Sequence, residues 1–422
     1  MTSTSARGLL CTLLLVAALA GCGIHPFRGQ AVAGSGFLSR SISQSDGTVT
    51  VTAAVPDAAE TEALTGLDLY AQGIQPVWLR VENSGDKNAR VVLRSVDKDY
   101  FSPIEVAYMN RSGFSASGYA DMERWFHDNG LRRVVLPGAV NSGLVFTHLK
   151  PGTKGFNLDI FSAGENHSFT FFVPMPGFEA DYRSVDFAGL YPPGEIVDLD
   201  YAGLKDVVEQ QLPCCANGPD QATDGGPLNV VMIATPLALR RALLRGDWRE
   251  TRLDSEKTLQ ARQHQFRGRG PDGIFYLNRP DGNEQINLHL WLAPWRVEGQ
   301  PVWVGQVYYR EFEDSLLKTL AGDRSIRDSA LLSRFMRESV AADIDSARRF
   351  LLQNLWYNQS LAGFGLVAGV GRSTEEQPLL TFDGVGYFTD GDRNVFLLSE
   401  APVALDETRV LYRLELPSGV DY

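Results

Sequence analysis

The stretch Leu228-Asn229-Val230-Val231-Met232-Ile233-Ala234 is a continuous apolar run that leads directly into Thr235-Pro236. A short run without polar alternation predicts a strand that is buried on both of its faces. Thr as an N-cap, with Pro in the first turn, predicts that a helix begins here, and we expect it to continue through Arg245. This strand-to-helix passage predicts a domain of α/β type with a mixed sheet.

The sequence after this helix contains further strand-like segments and one long helical stretch. Strands are predicted at 273–277, 286–292, 302–309, 366–371, 385–388, 395–398 and 410–416, and a helix at about 328–356. Strands and helices mixed in this way predict one domain, which we place at residues 228–422.

The sequence before the apolar run, from residue 48 to about residue 184, is typical of short antiparallel strands. Residues 75–83 alternate apolar and polar side chains, and the turn cluster 83–86 separates them from 89–96, their expected hairpin partner. Short alternating strands between Gly- and Pro-rich turns predict an antiparallel β-sandwich-like domain. One helix is expected at 120–129. The fold class predicted for the whole chain is therefore α+β.

A turn-rich stretch lies between these two halves. Residues 211–227 contain Pro213, Cys214-Cys215 and the cluster Asp224-Gly225-Gly226-Pro227. Pro and Gly clusters between periodic segments predict a linker. We therefore predict a β-rich domain at 48–210, a linker at 211–227, and two halves that fold separately.

The first residues have the composition of a bacterial lipoprotein signal. Arg7 precedes an apolar run from Gly8 to Ala20, and the run ends in Leu19-Ala20-Gly21-Cys22. A basic start, a short apolar core and small residues at its end are typical of a signal peptide. The run is shorter than the roughly 20 residues of a membrane span. Because its last four residues resemble a lipobox, residues 1–21 are predicted to be removed and Cys22 to carry lipid, including palmitate.

A lipidated Cys22 makes the lipid bilayer the first expected partner of the chain. Several acyl chains on one residue anchor a protein far more firmly than a single chain. Gly23 follows Cys22, whereas Asp at that position retains Gram-negative lipoproteins in the inner membrane. This favours the outer membrane, facing the periplasm, and leaves the inner membrane as the alternative. Residues 22–47 are predicted to be a tether.

Composition and cysteine usage exclude several classes of protein. With 44% hydrophobic residues the chain is globular, and its net charge of −12 gives no general attraction to nucleic acid. Cys214 and Cys215 are adjacent, so they are either two packed thiols or a strained disulfide ring. Cys and His spacing for zinc is absent from the sequence, and we expect neither a metal nor a cofactor.

Three residues are candidates for ligand binding: His264, Arg267 and His289. His289 lies in the strand-like run 286–292, where an imidazole can act as an acid, a base or a ligand. A half-buried strand histidine, held by a hydrogen bond and facing no wet cleft, is the favoured interpretation. His264, with Arg267 and Arg269, can bind an anion, although a solvated basic loop is favoured.

Two near-motifs fail on their spacing. Residues 390–394 begin like a calcium loop, but Val395 and Ala401 stand where such a loop needs Gly and Glu. Residues 113–118 miss the nucleophile elbow by one position. The sequence has no P-loop, zinc motif or triad signature, so no catalytic residue is predicted.

The second half carries a series of short segments with a family resemblance. They are PLNVVMIA at 227–234, GDW at 246–248, QHQFR at 263–267, HLW at 289–291, GQPVWVG at 299–305, DIDSAR at 343–348 and YFTDG at 387–391. In this order they resemble the LssY-like C-terminal domain family, over about residues 225–415. That family occurs fused to phosphatidic-acid-phosphatase-like or DedA-like membrane regions and in lipoproteins. The resemblance implies an envelope role and no particular reaction.

These observations predict a membrane-anchored cell-envelope lipoprotein that binds or scaffolds another component, either an envelope protein or a polysaccharide, without catalysis. The alternative is an envelope hydrolase that acts on a phosphate-containing lipid or polysaccharide. An enzyme needs a concave site with convergent titratable residues. Whether His264, His289, Asp343 and Asp345 lie together therefore discriminates between the two.

Overall fold

A computed structural model of the chain describes residues 26–150, 152–173, 175–176, 185–187, 189–252, 255–278, 284–313, 337–340, 342–382 and 384–412. The predicted signal peptide and Cys22 lie outside these residues. The tether predicted at 22–47 is corrected in part, because Phe37 is buried in a core of the first unit and residues 42–45 form a strand that pairs with 50–53. The chain divides into two compact units, the first ending at Pro176 and the second beginning at Gly177. A helix of sufficient length and hydropathy to cross a bilayer is not found in the described ranges.

The first unit is built on two four-stranded antiparallel sheets. Its strands are β1 (Ile42–Ser45), β2 (Val49–Ala54), β3 (Ile74–Asn83), β4 (Ala89–Val92), β5 (Val134–Val135), β6 (Val140–His148), β7 (Lys154–Ser162) and β8 (Glu165–Val173). One sheet has the order β1-β2-β3-β6 and the other the order β5-β4-β7-β8. Alternate side chains of both sheets, such as Val51, Leu79, Leu158 and Phe171, share one core. The predicted sandwich is confirmed.

The hairpin predicted between 75–83 and 89–96 is wrong. Both edges of β3 are occupied, by β2 and by β6, and β4 pairs instead with β5 and β7 in the opposite sheet. The turn after Asn83 therefore carries the chain from one sheet to the other. Residues 93–96 are helical.

Helices cover a second core of the first unit. They are α1 (Ala58–Thr65), α2 (Leu93–Val96), α3 (Pro103–Met109) and α4 (Ala116–Asn129). Val106 of α3 and Phe126 of α4 pack with Phe146 of β6. The helix predicted at 120–129 begins earlier, at Ala116, because Ser115 caps it by accepting a hydrogen bond from the Gly118 amide at 3.0 Å.

The second unit is built on a large mixed sheet. The strands of this unit are β9 (Val197–Leu199), β10 (Cys215–Asn217), β11 (Asp224–Pro227), β12 (Val230–Ile233), β13 (Arg249–Glu250), β14 (Gly273–Asn278), β15 (Glu284–Val297), β16 (Gln300–Glu313), β17 (Arg337–Val340), β18 (Leu361–Ala368), β19 (Leu379–Leu380), β20 (Gly386–Tyr387), β21 (Asp392–Leu398) and β22 (Arg409–Val410). The pairs β10–β11 and β19–β20 are separate from the large sheet. The main path runs β13-β14-β15-β16-β12-β21-β18-β22, with β17 beside β16 and β9 beside β15. The fold class is α+β, as predicted.

The strand β12 lies in the middle of this sheet and is buried on both faces, as its apolar run predicts. It is antiparallel to β16 and parallel to β21. Met232 packs against two helices, α6 (Pro236–Arg245) and α8 (Ile344–Tyr357). Val231, on the opposite face, packs against α5 (Tyr201–Gln210). Helix α6 begins and ends as predicted, and the Thr235 side chain caps it by accepting from the Ala238 amide.

The long helix predicted at about 328–356 is corrected in part. Helix α8 covers only 344–357, and residues 337–340 form β17, which pairs with the end of β16. Residues 328–336 lie outside the described ranges.

The boundary between the units also differs from the predicted linker at 211–227. Strand β9 pairs in parallel with β15, and α5 packs Leu204 and Val208 into the core of the second unit. Strands β10 and β11 form a hairpin within 211–227. Cys214 and Cys215 are joined by a disulfide at its start. Pro and Gly here form a turn inside the unit, and not a linker between units.

Candidate functional site

A cavity of about 430 Å³ opens in the second unit, and we name it the polar cavity. Strands β14, β15 and β16 form its floor, with Ile274, Tyr276, Asn287, His289, Gln306, Tyr308 and Arg310. Its walls come from other segments, with Gly226, Thr251, Gln260, Ala261, Gln263, His264, Ile344, Thr381, Phe382, Val385 and Tyr387. Its size lies within the range of roughly 300–1,000 Å³ that is usual for small-ligand pockets.

Strand alternation places the polar side chains of the floor on one face. His289 is opposite Gln306 and Asn287 is opposite Tyr308 in the antiparallel pair β15–β16. Side chains two positions apart share a face of a sheet, so these four residues converge. Leu288, between them, points to the other face and belongs to the apolar core.

The same face of β15 and β16 is apolar farther along the two strands. Trp291 and Val304 belong there to the core beneath α5. The cavity therefore begins at His289, two residues before Trp291, where this face changes from apolar to polar.

Two walls of the cavity come from a short helix with the residues after it and from the hairpin β10–β11. Helix α7 (Glu256–Ala261) contributes Gln260, and His264 follows it. The His264 ring lies 5.8 Å from the His289 ring and 5.1 Å from that of Phe382, measured between centroids. Gly226 of the hairpin lies against Gln306, because a Cβ atom at this position would overlap Gln306 Nε2.

His289 differs from the half-buried strand histidine favoured by the sequence. Its side chain is only 2% exposed and it lines the cavity. Its Nε2 atom lies 3.5 Å from the Tyr308 hydroxyl, and its Nδ1 atom has no hydrogen-bond partner among the described residues. Burial lowers the pKa of His289 well below 6.5, and the nearby His264 and Arg310 lower it further. The imidazole is therefore neutral at pH 7.

Two amides beside His289 also have unpaired atoms. Asn287 Nδ2 and Gln306 Oε1 are buried and have no hydrogen-bond partner within the part of the chain that the structure describes. A buried polar atom without a partner costs about 1–3 kcal/mol. Three such atoms belong to residues that line one cavity on two paired strands, and this makes the cavity the candidate site, because buried polar atoms in native proteins usually have a partner.

The remaining polar groups of the cavity are hydroxyls, amides and one guanidinium. Arg310 donates to Gln260 Oε1 at 3.3 Å. The Tyr387 hydroxyl lies 3.5 Å from the sulfur of Cys215. Burial, helped by the charge of Asp224, raises the pKa of Tyr387 to about 12, so that its hydroxyl keeps its proton at neutral pH. Among the described lining residues there is no Asp, Glu or Cys.

Arg267, the third predicted ligand-binding residue, does not line the cavity. Its guanidinium lies 3.9 Å from the carboxylate of Glu195 and 5.8 Å from the ring of Tyr191. Arg269 is bound elsewhere, to Asp272 at 2.5 Å and to the Tyr191 hydroxyl at 2.9 Å. The structure thus brings His264 and His289 together and leaves both arginines apart from them.

Asp343 and Asp345 have structural partners at the start of α8. Asp343 caps the helix. Asp345 accepts hydrogen bonds from the Thr389 hydroxyl at 2.8 Å and from the Asp390 amide at 2.7 Å. Its carboxylate also lies 3.6 Å from the guanidinium of Arg348. Neither aspartate lines the cavity, so the titratable residues expected of an enzyme converge only in part.

The sequence contains a signal for Asn287, Gln306 and Tyr308 in the spacing of its polar residues. Polar residues recur at every second position of two strand-like runs, at 285, 287 and 289 and again at 306, 308 and 310. Such a period of two in a strand predicts one polar face. The period alone does not show whether these two runs pair with each other, or in which register.

Comparison with protein-family models and with curated proteins gives no match to this chain. The resemblance to the LssY-like C-terminal domain family therefore stays a prediction from the residues.

Proposed function

We propose that this protein is a membrane-anchored cell-envelope lipoprotein whose second unit binds a small polar ligand in the polar cavity without transforming it. The observation that carries the proposal is the convergence of three buried, unpaired atoms, His289 Nδ1, Asn287 Nδ2 and Gln306 Oε1, around a cavity of about 430 Å³. A ligand that pairs with these atoms removes their desolvation cost and gains affinity from it.

The lining favours binding over catalysis. A nucleophile normally lies within hydrogen-bond reach of the base that activates it, and the described lining offers neither a carboxylate nor a thiol for such a pair. A general base works best when its pKa is near the working pH, whereas burial holds the pKa of His289 well below 6.5.

The hydrolase alternative rests on one observation. His264 and His289 are two imidazoles in one cavity, with ring centroids 5.8 Å apart. His264 is the half-buried member of the pair and the better candidate for proton transfer.

The envelope location is supported by the sequence Leu19-Ala20-Gly21-Cys22 at the end of the first apolar run. A lipid on Cys22 would hold the protein at the bilayer, facing the periplasm if the outer membrane is its destination. An envelope protein or a polysaccharide is the partner that this location offers.

A thermal-shift screen of the purified full-length protein tests the binding function. The probes are neutral sugars, inorganic phosphate, amino acids and dipeptides. A ligand at about 100 times its Kd stabilises the folded state by about 2.7 kcal/mol, which raises the melting temperature of a unit of this size by several degrees. We expect a shift with at least one class, lost in Gln306→Leu and kept in Gln300→Leu, a control on the same strand outside the cavity.

The same preparation tests the alternative. Hydrolysis of a phosphomonoester or carboxylester that disappears in His264→Ala, with an unchanged melting temperature, would replace the binding proposal by the enzyme. The absence of a shift with every class of probe would contradict the binding proposal itself.

A further inference from the structure

We infer that the ligand of the polar cavity is an uncharged sugar, recognised by the amides of Asn287 and Gln306 together with His289. This inference rests on the proposed binding function and names its class of ligand.

The unpaired amide atoms of the cavity include both a donor and an acceptor. Asn287 Nδ2 can only donate a hydrogen bond, and Gln306 Oε1 can only accept one. An ionised carboxylate or a fully ionised phosphate ester only accepts, so it would leave Gln306 Oε1 unpaired, and an ammonium only donates, so it would leave Asn287 Nδ2 unpaired. A hydroxyl does both, and adjacent hydroxyls on one ring can serve both amides.

The described lining of the cavity carries little charge. Arg310 is the one side chain of permanent charge among the described lining residues, and its guanidinium already donates to Gln260 Oε1 at 3.3 Å. The burial that disfavours a charged imidazole at His289 also disfavours a charged ligand group beside it. A polar ligand without charge enters such a site at a lower desolvation cost than an ion.

Aromatic rings lie among the polar groups of the cavity. Phe382 is half-buried in the wall, and Tyr276, Tyr308 and Tyr387 add a ring and a hydroxyl each. Ligand sites commonly combine apolar and aromatic walls with a few well-placed polar groups. A sugar ring fits this combination, because its C–H faces are apolar and its rim carries hydroxyls.

Isothermal titration calorimetry on the full-length protein in detergent tests the inference. The neutral probes are glucose, N-acetylglucosamine, maltose and N,N′-diacetylchitobiose, and the anionic probes are inorganic phosphate and glucose 6-phosphate. We expect saturable binding of at least one neutral sugar and none of inorganic phosphate. Loss of one buried hydrogen bond should weaken the Kd about tenfold in Asn287→Leu and in Gln306→Leu. The Gln300→Leu control should keep its Kd within about twofold.

A measurement on the unsubstituted protein covers the case in which a leucine variant does not fold. Histidine labelled with nitrogen-15 in the ring reports on each imidazole, and the signals that are absent from a spectrum of His289→Gln are those of His289. We expect the neutral sugar to shift the ring-nitrogen signals of His289 and to leave those of His127, in the first unit, unchanged.

The outcomes separate the inference from the proposed function. Phosphate binding that depends on Gln306, without binding of any neutral sugar, would overturn the sugar and leave a binding protein for anions. Sugar binding that is insensitive to Asn287→Leu and Gln306→Leu and does not shift His289 would place the sugar elsewhere and overturn the inference. No binding of sugar, phosphate, amino acid or dipeptide would overturn both.

Discussion

The rings of His264 and His289 lie 5.8 Å apart although one residue follows a short helix and the other sits in the middle of a long strand. Both line one cavity, and a charge on His264 disfavours a proton on His289. The pKa of His289 therefore differs between the folded and the unfolded chain, and this difference can be measured as a dependence of stability on pH.

We predict that the second unit loses stability through His289 as the pH falls below about 6.5. The folded-state pKa of His289 lies well below the unfolded value of about 6.5, so the unfolded chain binds the proton more tightly. The contribution is fully present above pH 6.5 and is lost as the pH falls through the folded pKa. In that window the free energy of unfolding should fall by up to about 1.4 kcal/mol per pH unit.

Urea unfolding of the full-length protein and of His289→Gln, between pH 7.5 and pH 4.5, measures this slope. The difference between the two proteins isolates His289 from the carboxylates. The exposed His127, changed to Gln, is the control. Parallel pH profiles for the protein and its His289→Gln variant would show that His289 does not titrate as predicted.

Arg393 is expected to be a structural residue of the second unit. Its guanidinium is fully buried and donates to the carbonyl oxygens of Val208, Leu212, Pro213 and Gly369. Burial lowers the pKa of Arg393 to about 10, which still leaves it charged at neutral pH. Arg393→Met keeps the aliphatic chain but leaves buried carbonyls unpaired, so it should reduce the free energy of unfolding by about 3 kcal/mol or more.

Chemical denaturation compares this variant with Arg372→Met, which removes an exposed arginine nearby and should cost less than about 0.5 kcal/mol. Similar losses in the two variants would mean that the carbonyls find other partners.

We predict that a fragment of residues 177–422 folds by itself and that one of residues 228–422 does not. The longer fragment keeps α5, whose Leu204 and Val208 cover one face of the mixed sheet, and β9 beside β15. The shorter fragment loses both and exposes Val231 and Trp291. Circular dichroism should show a cooperative melt for the fragment 177–422 and none for the fragment 228–422. Equal cooperative melts for both fragments would support the boundary predicted at 211–227.

Lipidation at Cys22 remains a prediction from the sequence. Cys22→Ser should abolish labelling with radioactive palmitate and move the protein from the membrane to the soluble fraction, because the acyl chains supply the anchor. Cys11→Ser, inside the predicted signal peptide, is the matched control and should keep both labelling and fractionation. Continued labelling of Cys22→Ser would place the lipid on another residue.

The sequence predicted the parts of this fold that depend on local pattern. Residues 230–233 form the doubly buried strand, and Thr235 begins the helix, because side-chain period and capping act over a few residues. The pairing of β3 was mispredicted, since a turn after a strand does not reveal whether the chain returns to the same sheet. The linker at 211–227 was mispredicted because Pro and Gly shape hairpins as well as linkers.

The candidate site was predicted only as separate residues. His264 and His289 are 25 positions apart, and their contact depends on the register of β14, β15 and β16 and on the turn after α7. Arg267, closer to His264 in sequence, lies outside the cavity. Proximity along the chain was therefore a poor guide to the site, and the polar period of two in β15 and β16 was the better one.

The central position of β12 has a consequence for the order in which the chain matures. Val231 pairs with Val395, so the middle of the mixed sheet cannot close until almost the whole polypeptide has been synthesised. Pairings this distant in sequence fold slowly. The first unit, whose described strands end at Val173, can form its two sheets much earlier. If the predicted signal peptide directs the unfolded chain across a membrane, the second unit would be completed only after its C-terminal strands had been exported.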